Sequence, residues 1–392
     1  MRVLLSTIGS RGEVQPVVAL GVRLVELGHE ARVCAPPDFR SLVEGLGLPF
    51  VPIGPELKGT AEPGRARPTP SQLKEMADAS VVTQFETVGA AVEGCDALVA
   101  GGALQFAARS VAEAAGVPYS YTSYCPVTLP SDEHAPPPLS WRGGDAVEGD
   151  NRVLWERDAD RWNTTFGEVV NARRTALGLP AVDDVRGHIF GERPLLAADP
   201  VLGPWDGASG VVQTGAWLLP DSRPLSADLE AFLEAGEPPV YFGFGSVRAP
   251  VEMSRVMVSA ARAAGRRAVV LRGWTGLDLV DEGGDCLSLG EVNQRALFPR
   301  VAAVVHHGGA GTTTAAALSG APQVVVPQMY DQFYWGERVA SLGIGVAHRE
   351  PPTAESLATA LGEALRRGAR AREVAGSVRT DGADVAARLV TG

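Results

Sequence analysis

Cysteine is scarce in this chain: Cys34, Cys95, Cys125 and Cys286 are the only four in 392 residues, and no two of them stand at a CxxC spacing. That argues against a disulfide scaffold or a redox motif and fits a reduced, cytoplasmic protein. Cys34 and Cys95 sit beside strand-like runs and read as buried thiols. Long apolar runs are missing too. Met1-Arg2-Val3-Leu4-Leu5 is followed almost at once by Gly9-Ser10-Arg11-Gly12, which is too short for a signal peptide, and nothing later is expected to span a membrane. Positive charge is in deficit. The 35 Lys and Arg residues face 46 Asp and Glu, a net charge of −11, which argues against a nucleic-acid partner. A small anion is not excluded, because a local nest of N–H groups overrides global charge.

An apolar share of 45% and a charged share of 21% fit an ordinary globular protein long enough for two domains. The chain opens as strand (Arg2–Thr7), glycine-containing loop, and helix (Val14–Leu27, stopped by Gly28). Strand and helix keep alternating: Ala31–Cys34, Ala97–Ala100, a helix over Ala103–Ala115, and Pro118–Thr122. A second series starts at Val240–Phe244 and a helix over Met253–Ala264. It continues with strands at Arg267–Leu271, Cys286–Leu289, Ala302–His307 and Gln323–Pro327. This βα repetition predicts an α/β fold of two parallel sheets. The expected division is an N-terminal domain over 1–214, a Pro-rich linker over 215–239 and a C-terminal domain over 240–375. A last helix within 376–392 is expected to pack back on the first domain. Two such halves leave a cleft lined by loops from the carboxyl ends of the strands.

The most informative segment runs from Val304-Val305-His306-His307 through Gly308-Gly309-Ala310-Gly311 to Thr312-Thr313-Thr314. It reads as a buried strand, a glycine loop and a helix start. Glycine admits close approach of a ligand to the backbone, and free N–H groups at a helix start bind anions. Thr312 and Thr313 can cap the helix or donate to a phosphate, and His307 can donate to the same anion. No lysine follows, so the P-loop pattern is absent, and no G-x-G-x-x-G follows the first strand. A purely structural glycine turn with core histidines remains the alternative reading of this segment.

Here the sequence resembles the family 1 (GT-B) glycosyltransferases. His307-Gly308-Gly309-Ala310-Gly311-Thr312, followed by Pro327-Gln328-Met329-Tyr330-Asp331-Gln332 and preceded by Gly290-Glu291-Val292-Asn293-Gln294, is similar to their donor-binding signature. The opening Gly9-Ser10-Arg11-Gly12-Glu13-Val14-Gln15-Pro16 resembles actinobacterial antibiotic glycosyltransferases and sterol glucosyltransferases. Cys34-Ala35-Pro36-Pro37-Asp38, Gln213-Thr214-Gly215-Ala216-Trp217 and Arg272-Gly273-Trp274 are closest in texture to the glycopeptide-antibiotic (vancomycin/teicoplanin-type) enzymes.

The resemblance implies two Rossmann-like domains facing across a cleft and a UDP- or dTDP-sugar donor on the second. It assigns the diphosphate to His307, Gly308, Gly309, Ala310, Gly311 and Thr312, with Ser10, Arg11 and Ser246 adding contacts. Val292 would meet the base through its backbone with Trp274 packed nearby, and Asp331 and Gln332 would recognise sugar hydroxyls. Glu13 is the first candidate for the general base and Asp331 the second; relatives usually carry Asp where Glu13 stands. A helix-capping role for Glu13, and a structural one for Trp274, stay open. Ala315 replaces the ribose-binding Glu of plant members, so UDP and dTDP cannot be separated there. The acceptor, an aglycone with glycopeptide favoured over polyketide, polyene or sterol, would lie on residues 54–70 and 124–141. Gln105, Tyr124, Pro126 and Trp141 are its expected contacts. The implied activity is inverting hexosyl transfer by a monomer without metal or other cofactor. A sugar-nucleotide epimerase and a non-catalytic nucleotide-sugar-binding protein are the readings from other classes.

Overall fold

The computed structural model describes residues 1–58, 69–138, 149–207, 210–245, 253–274 and 283–392. Ser246 and Trp141 therefore lie outside the described residues. The first sheet is built from β1 (Arg2–Thr7), β2 (Glu30–Ala35), β3 (Phe50–Pro52), β4 (Ala97–Gly101), β5 (Tyr119–Ser123), β6 (Leu195–Leu196) and β7 (Val212–Gln213), in the order β3-β2-β1-β4-β5-β6-β7. The second contains β8 (Val240–Gly243), β9 (Ala268–Leu271), β10 (Cys286–Leu289), β11 (Ala303–His306), β12 (Gln323–Val325) and β13 (Gly345–Ala347), in the order β10-β9-β8-β11-β12-β13. Pairing within both sheets is parallel, as in β1 Val3 beside β4 Ala97 and β8 Val240 beside β11 Ala303. Parallel strands covered on both faces read as continuous apolar runs, and Val-Tyr-Phe-Gly of β8 is buried at every position.

Strand order reverses between β1 and β4 in one sheet and between β8 and β11 in the other. Those two switch points open crevices at the carboxyl ends of the strands. The loops there carry Gly9-Ser10, Gly101-Gly102, Gly245 and His307-Gly308-Gly309.

The helix over 103–115 starts only at Ala108, because the preceding loop folds inward around Gln105. Two long helices, Pro70–Ala91 and Asn151–Ala176, have no counterpart in the sequence reading. The 215–239 segment is not a bare connection. Its helix Ala227–Glu234 buries Leu229 and Leu233 in the core of the second domain, beside Tyr241, Phe298 and Val304. The terminal helix Gly382–Thr391 places Ala386 and Ala387 in the first domain's core with Val14, Val18 and Leu20. Its Asp384 also bonds Arg23 Nε at 2.8 Å.

Candidate active site

On the first domain, the Arg11–Glu26 helix begins directly after β1 and the Gly9-Ser10 turn. Ser10 Oγ donates to the Glu13 carboxylate at 2.8 Å rather than capping the helix. The Glu13 carbonyl accepts from Thr7 Oγ1 at 3.2 Å and from the Tyr124 hydroxyl at 3.1 Å. Gly9 (φ +146°) and Gly102 (φ +89°) wall the side chain. A Cβ on Gly9 would stand 2.8 Å from Glu13 Cδ, and one on Gly102 would stand 3.2 Å from Glu13 Cγ. Burial raises the Glu13 carboxyl above its ordinary range, opposed by the Ser10 hydroxyl.

On the second domain, the glycine loop is locked from beneath by a histidine that sequence reasoning left in the core. His306 is fully buried; its Nδ1 accepts from Gly308 N–H at 3.1 Å and its Nε2 meets Gln323 Oε1 at 2.9 Å. Those partners assign the ring proton to Nε2. Gly308 (φ +96°) admits no side chain, since a Cβ would lie 2.8 Å from Val325 Cγ1. The Ala310–Ser319 helix that follows has Gly309 as N-cap and no side-chain cap. The N–H groups of Gly309, Ala310, Gly311 and Thr312 consequently have no acceptor among the described residues. His307 borders them: a Cβ on Gly309 would stand 2.7 Å from its Nε2. Its Nδ1 is buried with no partner in hydrogen-bonding geometry among the described residues. Burial pushes this imidazole down to about 4, opposed by the backbone of Gly243. The ring is therefore neutral at pH 7, and the anion alone would charge-assist its hydrogen bond. Thr313 differs from expectation. It is 1% exposed and its hydroxyl bonds back to Gly309 O at 3.0 Å, so only the Thr312 hydroxyl stays open to a ligand.

Asp331 begins the Gln332–Ser341 helix, just after Tyr330, which at φ +54° is the one non-glycine residue with positive φ among those described. Tyr330 N–H reaches Pro138 O of the first domain at 3.2 Å. The Asp331 side chain makes no cap; its Oδ2 accepts from Trp335 Nε1 at 3.2 Å. Burial first, then the Glu13 charge, raise its carboxyl to about 7. The Glu13 charge on the first domain is thus felt by Asp331 on the second. Gln332 anchors the turn through Oε1, which accepts from Gln328 N–H at 2.9 Å and Met329 N–H at 3.3 Å. Its Nε2 has no partner among the described residues.

Other expected residues fall in different places. Arg11 forms an ion pair with Glu291 of the second domain. Val292 leaves its backbone unpaired among the described residues. Trp274 donates its backbone N–H to Gly245 O at 3.1 Å, and its ring lies tilted at 37°, 6.2 Å from that of Phe39 in the first domain. Gln105 does not line the cleft: it is 1% exposed and accepts from Ser6 Oγ at 2.9 Å, because the loop folds it under β1. Pro126 is buried at the start of a short 3-10 turn, packed toward Gly203. Tyr124 holds the Glu13 backbone. A cavity of about 620 Å³ beside Pro130, Trp155 and Asp206 is lined by none of these cleft residues. Among the described residues no cluster of three or more His, Cys, Asp or Glu suits a metal, and no helix is long and apolar enough to cross a membrane.

Two parallel α/β domains, with an open helix N-terminus on one and a half-buried candidate carboxylate on each, define the GT-B class of sugar-transferring enzymes. The same fold is seen in the crystal structure of the glycotransferase of kitacinnamycin, with a TM-score of 0.74, 22% identity, and coverage of 100% of this chain and 98% of that one. Residues 3–131 match the glycosyltransferase family 28 N-terminal domain, and residues 286–387 match the erythromycin biosynthesis protein CIII-like C-terminal domain. Glycosyltransferase GtfC of Amycolatopsis orientalis is 51% identical over 398 residues, covering 100% of this chain and 97% of the relative. The vancomycin aglycone glucosyltransferase of the same organism is 49% identical over 399 residues, with the same coverage. The chain belongs to the family of these Amycolatopsis glycosyltransferases, and it is a glycosyltransferase.

Proposed function

We propose that this enzyme transfers a hexose, glucose first, from a UDP- or dTDP-sugar to a hydroxyl of a natural-product aglycone, with a glycopeptide aglycone favoured, and inverts the anomeric carbon. The observation that carries the reading is the uncapped start of the Ala310–Ser319 helix with the Asp331-Gln332 turn packed beside it, Gln332 O lying 3.0 Å from where a Cβ on Gly308 would stand. The relative named for the vancomycin aglycone supports the acceptor class.

In this mechanism the acceptor oxygen bonds to the anomeric carbon while the bond from that carbon to the diphosphate breaks. The acceptor proton passes to the Glu13 carboxylate. The electron pair leaves on the diphosphate, whose growing charge is taken by the N–H groups of Gly309 to Thr312 and by His307. Preorganised donors do there what a cation does in metal-dependent enzymes, so no metal or other cofactor is required. Asp331, with the free Nε2 of Gln332, is placed to grip sugar hydroxyls and favours a hydroxyl-rich hexose over a deoxygenated one. The four cysteines are buried thiols outside any disulfide, which fits action in the reducing cytoplasm.

The test is a matrix of UDP- and dTDP-sugars against glycopeptide, polyketide and sterol aglycones, read by mass. One added hexose on a glycopeptide, with β-linkage from an α-donor, is the expected result. Modification only of a polyketide or sterol would overturn the acceptor class. Donor turnover without an acceptor would overturn transfer itself.

A further inference from the structure

Asp331, Trp335 and Arg338 stand at i, i+4 and i+7, which places them along one face of the helix that begins at Asp331. Trp335 is 1% exposed, and its indole N–H donates to Asp331 Oδ2 at 3.2 Å. The far edge of its ring enters a seat on the other domain. A Cβ on Gly203 would lie 3.0 Å from Cη2 and 3.3 Å from Cζ3 of Trp335, with Pro126 Cδ at 3.4 Å. One turn further on, Arg338 donates to Leu202 O at 2.9 Å and to Val201 O at 3.1 Å of the same loop.

That loop is itself rigid. Asp199 is fully buried; its Oδ1 accepts from Val201 N–H at 2.9 Å and Leu202 N–H at 3.1 Å. Its Oδ2 accepts from Arg379 N–H at 2.8 Å, on the segment where the chain returns toward the first domain. The helix carrying Asp331 is therefore gripped by the domain that carries Glu13, and the grip passes through the residue that holds the Asp331 carboxylate.

We propose that Trp335 is a positioning residue for sugar transfer: seated against Gly203 of the first domain, it aims Asp331 at the donor sugar and registers it against Glu13. This rests on the reading of Asp331 as a sugar-contacting carboxylate next to the base. An indole is suited to the role, since one edge is an apolar plate for the glycine seat and the other carries a single donor. Because that donor stabilises the ionised carboxylate, removing it should also make Asp331 harder to ionise.

Trp335→Phe keeps the ring in its seat and deletes the N–H. Expected is a fall in kcat/KM for the sugar donor of roughly 10- to 100-fold, the scale of a small misplacement at a reacting centre. Affinity for free UDP or dTDP should stay at the wild-type value, and the acid limb of the kcat–pH profile should move to higher pH. Gly203→Ala leaves the N–H in place but crowds the ring; it should lower kcat/KM in the same donor-specific way. An infrared titration of the carboxyl band that disappears in Asp331→Asn gives an activity-free readout, and its midpoint should rise in Trp335→Phe. Unmoved midpoint and unmoved pH limb in a folded Trp335→Phe, with Asp331→Asn inactive, overturn the positioning role alone. Near-wild-type transfer by Asp331→Asn overturns the reading beneath it as well.

Discussion

The Glu13 carboxylate of the first domain raises the Asp331 carboxyl of the second, so the charge of one candidate carboxylate is felt by the other across the two domains. Among the described residues neither carboxylate has an arginine or lysine partner; Glu13 is held by the Ser10 hydroxyl and Asp331 by the Trp335 indole. Like charges brought together without a counter-cation hold a proton to higher pH than either would alone.

The first prediction follows from that coupling. With Asp331 at about 7, kcat should rise with pH through neutrality as the pair ionises, and level off above it. Replacing Glu13 by Gln removes the neighbouring charge, so the Asp331 midpoint should move down. Carboxyl-band infrared titration of Glu13→Gln measures this directly. An unchanged midpoint would mean that burial alone raises Asp331.

Acid should destabilise the fold through its histidines. Burial pushes His306 down to about 3, His307 to about 4 and His188 to about 4, from 6.5. The unfolded chain then binds more protons than the native one below pH 6.5, so stability falls as pH drops from 6.5 toward 4. Asp331 works the other way. Raised from 3.8 to about 7, it gives the native state the extra proton between those values and offsets part of the loss. Urea unfolding at about pH 7 and about pH 5 should show the lower stability at the acid value. The drop should be steeper in Asp331→Asn; a flat or inverted profile would contradict the neutral burial of these rings.

At the phosphate site, His307→Ala should weaken UDP and dTDP binding alike. A hydrogen bond to a charged group contributes about 1.5–3 kcal/mol, roughly a tenfold to hundredfold loss by calorimetry. The fold should survive, because His306 and not His307 makes the loop-locking bonds. Saturating EDTA should leave transfer by the wild type intact, since in the proposed mechanism helix N–H groups take the place of a cation. Loss of activity restored by magnesium or manganese would discard that account.

What the sequence made legible, and what it hid, follows from the range of the forces involved. Around residues 304–318 each residue has a local reason to be where it is: the apolar strand, the positive φ of Gly308 and the threonine-rich helix start. The pairing of Glu13 with Asp331 was reachable only through a resemblance, because their loops meet by domain packing. Trp335 was invisible as a site residue, since its seat on Gly203 lies far away along the chain. Gln105 misled in the opposite direction. A polar residue after a strand reads as exposed, yet Ser6 supplies a buried partner that lets it fold inward. The Asn151–Ala176 helix escaped because Asp158 and Arg174 are buried on it through the ion pairs Asp158–Arg186 and Arg174–Glu113, which blurs its apolar stripe.

The last prediction concerns the base. Glu13→Gln keeps the side-chain shape and its contact with Ser10 but removes the acceptor of the proton, so turnover should fall by roughly 10²- to 10⁴-fold. Donor and acceptor affinities should hold, since only a transition-state interaction is lost. Glu13→Asp is the sharper probe. It shortens the side chain by one methylene in a slot walled by Gly9 and Gly102, drawing the carboxylate back from the acceptor while keeping its basicity. Much of the activity should remain, because the basicity is kept, and the deficit should appear in kcat rather than KM. Adding Ser10→Ala to Glu13→Asp removes the hydroxyl that orients the carboxylate and should deepen that deficit. If Glu13→Gln turns over at nearly the wild-type rate, the proton goes elsewhere, with Asp331 the remaining carboxylate in the cleft. If it folds but no longer binds the donor, Glu13 organises the loop after β1 and does no proton transfer.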